Sequence, residues 1–159
     1  MTPFDFYAPP RVIFGRGRLE ELPRLASALG RRALLVTGAA SARASGLLDR
    51  LERLLAAGGV RAVVFAVGGE PEVETVDRAA AAARAAGCDL VIGVGGGSCL
   101  DAAKAAALLA TNAGSALDYL EVIGRGRSPE RPGLPVIAVP TTAGTGAEVT
   151  RNAVLGHPP

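Results

Sequence analysis

Continuous apolar runs alternate with amphipathic segments along the chain. The apolar runs predict strands over residues 11–14, 33–37, 62–67, 90–94 and 135–139. Apolar residues at helical spacing, most of them followed by a closing glycine, predict helices over 19–29, 42–57, 72–86 and 98–111. Strands that alternate with helices need crossover connections, so we expect a Rossmann-like α/β fold. Its sheet is predicted to be mostly parallel, with helices on both faces.

Three loops directly follow predicted strands and concentrate small and hydroxyl-bearing residues. They cover residues 38–41, 95–98 and 140–148, whereas 124–133 reads as a polar surface loop. In open α/β sheets, ligands bind outside the carboxyl ends of the strands. These three loops are therefore the candidate ligand-binding loops.

The second of these loops has the features of an anion site. Gly95, Gly96 and Gly97 lack Cβ atoms and let the backbone approach a ligand, while the N–H groups and dipole of the next helix favour phosphate. Ser98 with Asp101 fits a capping box for that helix, and Asp101 is spaced to pair with Lys104. The spacing is neither GxGxxG nor a Walker A loop. The alternative is that the glycines only relieve crowding at the turn.

The other two loops carry weaker signals. Thr141, Thr142 and Thr145 place hydroxyls after a buried strand, where they can contact phosphate, ribose or an amide-bearing ring, or can bond their own backbone in a turn. In dinucleotide sites a carboxylate near the end of an early strand holds the ribose 2′-OH. Here Gly38 stands at that place, followed by Ser41, so no carboxylate is present. The loop then either leaves room for a 2′-phosphate or is an ordinary strand-to-helix turn.

Composition narrows the functional classes. The 159 residues fit one domain, and 49% hydrophobic with 4% aromatic residues suits helix-on-sheet packing. A net charge of +2 from dispersed residues argues against nucleic acid. Cys88 and Cys99 have neither CxxC spacing nor the density of a disulfide scaffold, so we expect a reduced, cytoplasmic protein. Cys99 is predicted at the start of a helix, where it is either a small packing residue or a thiol with a lowered pKa. We expect no leader or membrane span, a solvated His157 and no transition-metal site.

The loops together resemble a known family. The stretches 95–104 and 140–148, their separation, Asp118-Tyr119 between them and Glu70-Pro71 upstream are similar to the iron-containing (group III) alcohol dehydrogenases, over essentially the whole chain. The resemblance implies a single dinucleotide-binding domain over 1–159, from an enzyme that transfers hydride between an alcohol or aldehyde and NAD or NADP. The cofactor-binding residues that it implies are Gly38, Ser41, Gly95, Gly96, Gly97, Ser98, Asp101, Thr141, Thr142, Thr145 and Val154.

The resemblance also implies what lies outside this sequence. Many family members have Asp at the position of Gly38, where it selects NAD, so Gly38 with Ser41 favours NADP or dual use. In the family, Fe²⁺ or Zn²⁺ is bound by Asp and His residues of a helical C-terminal domain. Because this sequence ends at Pro159, we expect the metal only in the complete two-domain enzyme. We assign no metal ligand or catalytic residue here. Without that second domain, the surface that it would cover is open to water, and exposed apolar surface promotes association. We therefore expect a homodimer or another form of association.

Three alternatives remain at this point. The metal-independent maleylacetate reductases are a branch of the same family, and a non-catalytic nucleotide-binding module would need no second domain. A small-molecule kinase would need a carboxylate placed for Mg²⁺ beside the glycines, and Asp101 is the only nearby choice.

Overall fold

The computed structural model describes residues 11–157, so the predicted domain of 1–159 extends beyond the described part at both ends. Its sheet has four strands, β1 (Arg32–Gly38), β2 (Arg61–Val67), β3 (Leu90–Gly95) and β4 (Val136–Pro140). They lie in the order β2-β1-β3-β4, and every adjacent pair is parallel. The predicted parallel α/β sheet is confirmed.

Helices connect these strands, as the periodicity predicts. A short 3-10 turn over Arg18–Glu21 precedes the first helix. The helices are α1 (Leu22–Leu29), α2 (Ser41–Ala44), α3 (Leu47–Ala57), α4 (Val73–Ala86), α5 (Gly97–Thr111) and α6 (Ala116–Tyr119). Within residues 11–157, no helix is long and apolar enough to cross a membrane.

Two apolar layers, one on each face of the sheet, form the core. Successive side chains of a strand point to opposite faces, and β1 divides accordingly. Leu34 and Val36 pack with α4 and α5, whereas Ala33 and Leu35 pack with α1 and α3. Because β1 and β3 are covered on both sides, they are continuous apolar runs, and the prediction of helices on both faces is confirmed.

The strand order creates a switch point between β1 and β3. From β1 the chain passes through α2 and α3 to β2 at one edge of the sheet. It then returns through α4, past β1, to β3, and continues through α5 to β4 on the far side. Where the direction of winding reverses, the loops after β1 and β3 leave the sheet toward opposite faces and open a crevice. The loops at Gly38 and Gly95 flank this crevice.

Two predicted elements are wrong. Residues 11–14 form no strand, and Phe14 is 95% exposed, because this short apolar segment pairs with neither edge of the sheet. The helix predicted over 42–57 is two helices, because Gly46 adopts a left-handed conformation, with φ of 69°, between α2 and α3. Its apolar spacing persists through this break, so periodicity alone does not show it.

Helix α6 was not predicted, since four residues are too few for a periodic signal. Ser115 caps it, with Asp118 accepting a hydrogen bond from the Ser115 N–H in return, so this is a true capping box. Asp77 of α4 fastens the same turn, accepting hydrogen bonds from the Ser115 hydroxyl at 2.6 Å and the Ala116 N–H at 2.7 Å. A side chain 38 residues earlier therefore holds this helix in place.

Candidate functional site

The loop between β3 and α5 has the geometry of an anion site. Gly96 is the extended N-cap residue, and the helix begins at Gly97 and continues for 15 residues. The first N–H groups of a helix have no intrahelical acceptor, so those of Gly97 and Ser98 are directed out of the helix end. Together with the positive end of the helix dipole, they favour a bound anion.

The predicted capping box at this helix is wrong. No side chain caps α5, because the N-cap is Gly96 and Asp101 therefore lies two positions too far into the helix for the box. Its carboxylate instead pairs with Lys104 at 2.9 Å, as the spacing predicts, and accepts a hydrogen bond from the Val154 N–H at 3.3 Å. Asp101 thus joins the helix to a distant segment.

Position 95 requires glycine because of its backbone conformation and because the Cys99 side chain lies against it. Its φ of +154° is rarely adopted by residues with a side chain, and an added Cβ would lie 2.6 Å from the Sγ atom of Cys99. Burial raises the pKa of the Cys99 thiol, and the hydrogen bond from the Gly96 backbone opposes this only in part. The hypothesis of a lowered pKa at this helix start is wrong, and Cys99 is a buried packing residue.

The loop after β4, residues 140–148, which we call the threonine loop, lies against residues 95–98, the glycine loop. The Thr141 N–H donates to the Gly95 carbonyl oxygen at 2.9 Å, continuing the pairing of β3 with β4. An added Cβ on Gly97 would lie 3.1 Å from the Cγ2 atom of Thr145. The Thr145 hydroxyl accepts a hydrogen bond from the Ala147 N–H at 3.4 Å, so the alternative of a self-bonded turn applies to this threonine. Thr141 and Thr142 are exposed at the same edge.

The loop after β1 reaches the same place. An added Cβ on Gly38 would lie 2.9 Å from the Ser41 hydroxyl oxygen and 4.0 Å from the Cys99 sulfur. The Ser41 hydroxyl therefore takes part of the space that a side chain at position 38 would need. The three loops predicted from sequence all meet at the carboxyl edge, around the crevice between β1 and β3.

An open groove of about 300 Å³ extends from the glycine loop. Five of the predicted site residues line it: Gly97, Ser98, Asp101, Thr145 and Val154. Glu70 and Pro71, at the turn before α4, form another side of the groove. Gly38 and Ser41 are not among its lining residues, so the predicted site has one part in the groove and another beside β1.

Sequence reasoning did not foresee the role of Lys104 beside this groove. Its ammonium group donates to the backbone oxygens of Ala147 at 2.8 Å, Asn152 at 2.5 Å and Thr150 at 3.2 Å, in addition to its pairing with Asp101. The only signal in the sequence is an Asp-x-x-Lys pair in a helix with no other charged residue. Spacing gives the pairing but not the distant carbonyl groups.

The described residues suit a dinucleotide but not a metal ion. Among residues 11–157, no three His, Cys, Asp or Glu side chains are grouped so as to hold a metal, and His157 is exposed as expected. The glycine loop does fit a pyrophosphate, because Gly96 and Gly97 leave a backbone surface between the helix end and the threonines. Both Asp101 carboxylate oxygens have partners in the protein, which argues against the Mg²⁺ role that the kinase alternative requires.

Comparison with known proteins gives a consistent picture. The model of the iron-containing alcohol dehydrogenase family matches residues 9–159. Long-chain-alcohol dehydrogenase 1 of Geobacillus thermodenitrificans is 45% identical over 148 residues, covering 92% of this chain and 37% of the relative. The iron-containing alcohol dehydrogenase structure from Thermotoga maritima has a TM-score of 0.85 at 39% identity, over 98% of this chain and 43% of that one.

A third relative has a nucleotide bound. Sulfoacetaldehyde reductase from Bifidobacterium kashiwanohense, solved in complex with NAD⁺, has a TM-score of 0.81 at 35% identity, covering 94% of this chain and 39% of that one. The chain thus spans about two fifths of the length of these relatives. The family match over residues 9–159 and the high identity agree with the site geometry: the chain belongs to the iron-containing alcohol dehydrogenase family.

Proposed function

We propose that residues 1–159 are a single dinucleotide-binding domain of an NAD(P)-dependent oxidoreductase that acts on a small alcohol or aldehyde. One observation carries the proposal: the glycine loop at the start of α5 packs against the threonine loop after β4, at the crevice where an α/β sheet binds ligands. Family membership and the NAD⁺ complex of the sulfoacetaldehyde reductase agree with it.

The proposed roles follow from position. The N–H groups of Gly96, Gly97 and Ser98 bind the pyrophosphate, and Gly95 keeps the turn tight above Cys99. Thr141, Thr142 and Thr145 line the cofactor from the β4 side, and Asp101 with Val154 lines the groove. The nicotinamide ring supplies the hydride chemistry when it is bound. This chain's residues supply binding and orientation, and we propose that the family's Fe²⁺ or Zn²⁺ is held by residues outside those described.

We further propose that the loop after β1 accepts NADP as well as NAD. Gly38 presents no carboxylate that would repel a 2′-phosphate, and the Ser41 hydroxyl lies 2.9 Å from where a Cβ at position 38 would be. The test is Gly38→Asp combined with Ser41→Ala, which removes that close contact. We expect NADPH affinity to fall by about tenfold or more, since a carboxylate beside a phosphate costs on the order of 1–2 kcal/mol, while NADH affinity is retained. An unchanged ratio of NADPH to NADH affinity in this variant would refute the proposal that the loop after β1 accepts NADP.

The dinucleotide site itself is tested by titrating NADH and NADPH while following cofactor fluorescence. Gly97→Ala is the informative variant, because its Cβ would lie 3.1 Å from Thr145 and cover the backbone surface for the pyrophosphate. Gly68→Ala is the matched control, since a Cβ there meets open space at the same edge of the sheet. We expect saturable binding that Gly97→Ala weakens and Gly68→Ala does not. A wild-type protein that binds neither cofactor would overturn the proposal.

A further inference from the structure

The Lys104 ammonium group is nearly enclosed. The side chains of Lys104 and Asp101 are only 14% and 13% exposed, and their ion pair is 2.9 Å long. Burying such a charge is costly unless ion pairing and hydrogen bonds compensate for the lost water. Here they do: the ammonium has three N–H donors, and the shortest contacts are to Asp101 and to the carbonyl oxygens of Ala147 and Asn152.

The carbonyl groups that Lys104 binds belong to a segment with no regular secondary structure. We call residues 147–154 the groove segment, since Ala147, Thr150, Asn152 and Val154 line the groove. Irregular backbone needs partners for its polar groups from elsewhere. Asp101 accepts from the Val154 N–H, so the Asp101–Lys104 pair binds both ends of the segment.

The next residues are fastened independently. The Gly156 N–H donates to the Pro71 carbonyl oxygen at 2.9 Å, and the Val73 N–H donates to the Gly156 carbonyl oxygen at 3.1 Å. The chain beyond the groove segment is therefore fixed to the start of α4. Within the segment, the partners that reach across from another element are Lys104 and Asp101.

We propose that Lys104 is a positioning residue that holds the groove segment in the shape that binds the nicotinamide half of the cofactor. The inference rests on the proposed dinucleotide site, in which the pyrophosphate lies at the start of α5. Gly38 and Ser41, beside the adenosine half in that proposal, are not in the groove. Lys104 touches no ligand in this arrangement. It acts through the backbone that it binds.

The test compares binding of NADH with binding of ADP, which lacks the nicotinamide half, in the wild-type protein and in its variants. In Lys104→Met, NADH binding should weaken by about tenfold or more, because the released segment no longer holds the shape that contacts the nicotinamide half, while ADP binding stays within about twofold. Amide hydrogen exchange should accelerate in residues 147–154. Arg84→Met is the matched control, because Arg84 also donates to a backbone oxygen, that of Leu109 at 2.6 Å, but far from the groove. It should change neither NADH nor ADP affinity.

A purely structural role predicts a different result. If Lys104 only stabilises the fold, NADH and ADP affinities fall together or neither changes, and either result overturns the inference. Lys104→Arg keeps the charge, and its planar guanidinium cannot direct three bonds to the same acceptors, so it should show the same NADH-specific loss if Lys104→Met does not fold. Failure of the wild-type protein to bind NADH would overturn the proposed function as well. Unchanged NADH binding in both variants would overturn only the inference.

Discussion

Gly93→Ala tests the packing that positions the glycine loop. Gly93 lies in the middle of β3, where an added Cβ would be 2.7 Å from the Ala103 Cβ and 3.3 Å from the Leu100 Cδ2. An ordinary contact between carbon atoms is about 3.5–4.0 Å, so the alanine would have to move by about 1 Å. Ala103 has no rotamer to change. The whole helix α5 must shift, and its N-terminus carries the proposed pyrophosphate site.

The cost can be worked out by a double-mutant cycle. Overpacking of this kind costs about 1–3 kcal/mol, and we expect Gly93→Ala at the upper end because the clash is with a helix rather than a mobile side chain. Ala103→Gly alone should cost about 2 kcal/mol, from helix propensity and one lost buried methyl group. The double variant removes the clash, so its loss should be smaller than the sum by about 1–2 kcal/mol.

The assay is urea unfolding of the four proteins, followed by circular dichroism, with NADH titration of each folded protein. Gly93→Ala should also weaken NADH binding, and Ala103→Gly in the same molecule should restore part of it. Strictly additive losses would refute the reasoning, because they would mean that the two positions do not compete for the same space. A loss below about 0.5 kcal/mol for Gly93→Ala would refute it too, since that is the range of substitutions with no packing consequence.

Three further predictions concern stability, pH and association. Asp77→Ala should lower the free energy of unfolding by about 2–3 kcal/mol in denaturant titration, because the Ser115 hydroxyl and Ala116 N–H lose a charged acceptor, and Asp77→Asn should cost less. Burial opposes ionisation of Asp89, but the backbone N–H groups of Arg32 and its neighbour outweigh it and lower the pKa of Asp89. Its contribution is present above the unfolded pKa of about 3.9 and is lost as pH falls through the lower folded value, so acid unfolding of Asp89→Asn should depend less on pH below about 4. Light scattering should detect dimers or larger species through exposed apolar surface, and a monomer at high concentration would contradict this expectation.

Local patterns were sufficient for most of the fold. Strand and helix periodicity, with glycines after most helices, located every described strand and the four longer helices α1, α3, α4 and α5, although it missed the break between α2 and α3. They also placed the glycine loop at the start of a helix, because a buried strand followed by three glycines has few other solutions. The pairing of Asp101 with Lys104 needed only helical spacing. These features depend on neighbours within about ten residues.

The errors have two different causes. Residues 11–14 have a strand pattern, but a strand forms only where it pairs with another strand, and this segment pairs with neither edge of the sheet. That outcome depends on packing that no local pattern contains. The capping box failed for a local reason, because the helix starts at Gly97 with Gly96 as its N-cap, so Ser98 already lies inside the helix.

The sequence by itself determined an alternating α/β chain with three glycines between a strand and a helix, and it identified which residues stand at strand ends. The tertiary structure decided the strand order β2-β1-β3-β4, and therefore which loops flank one crevice. It also decided that Lys104 reaches carbonyl groups more than 40 residues away. The physical reason is the same in both cases. Backbone periodicity is local, whereas the partners of buried charges and sheet edges are set by how the layers pack.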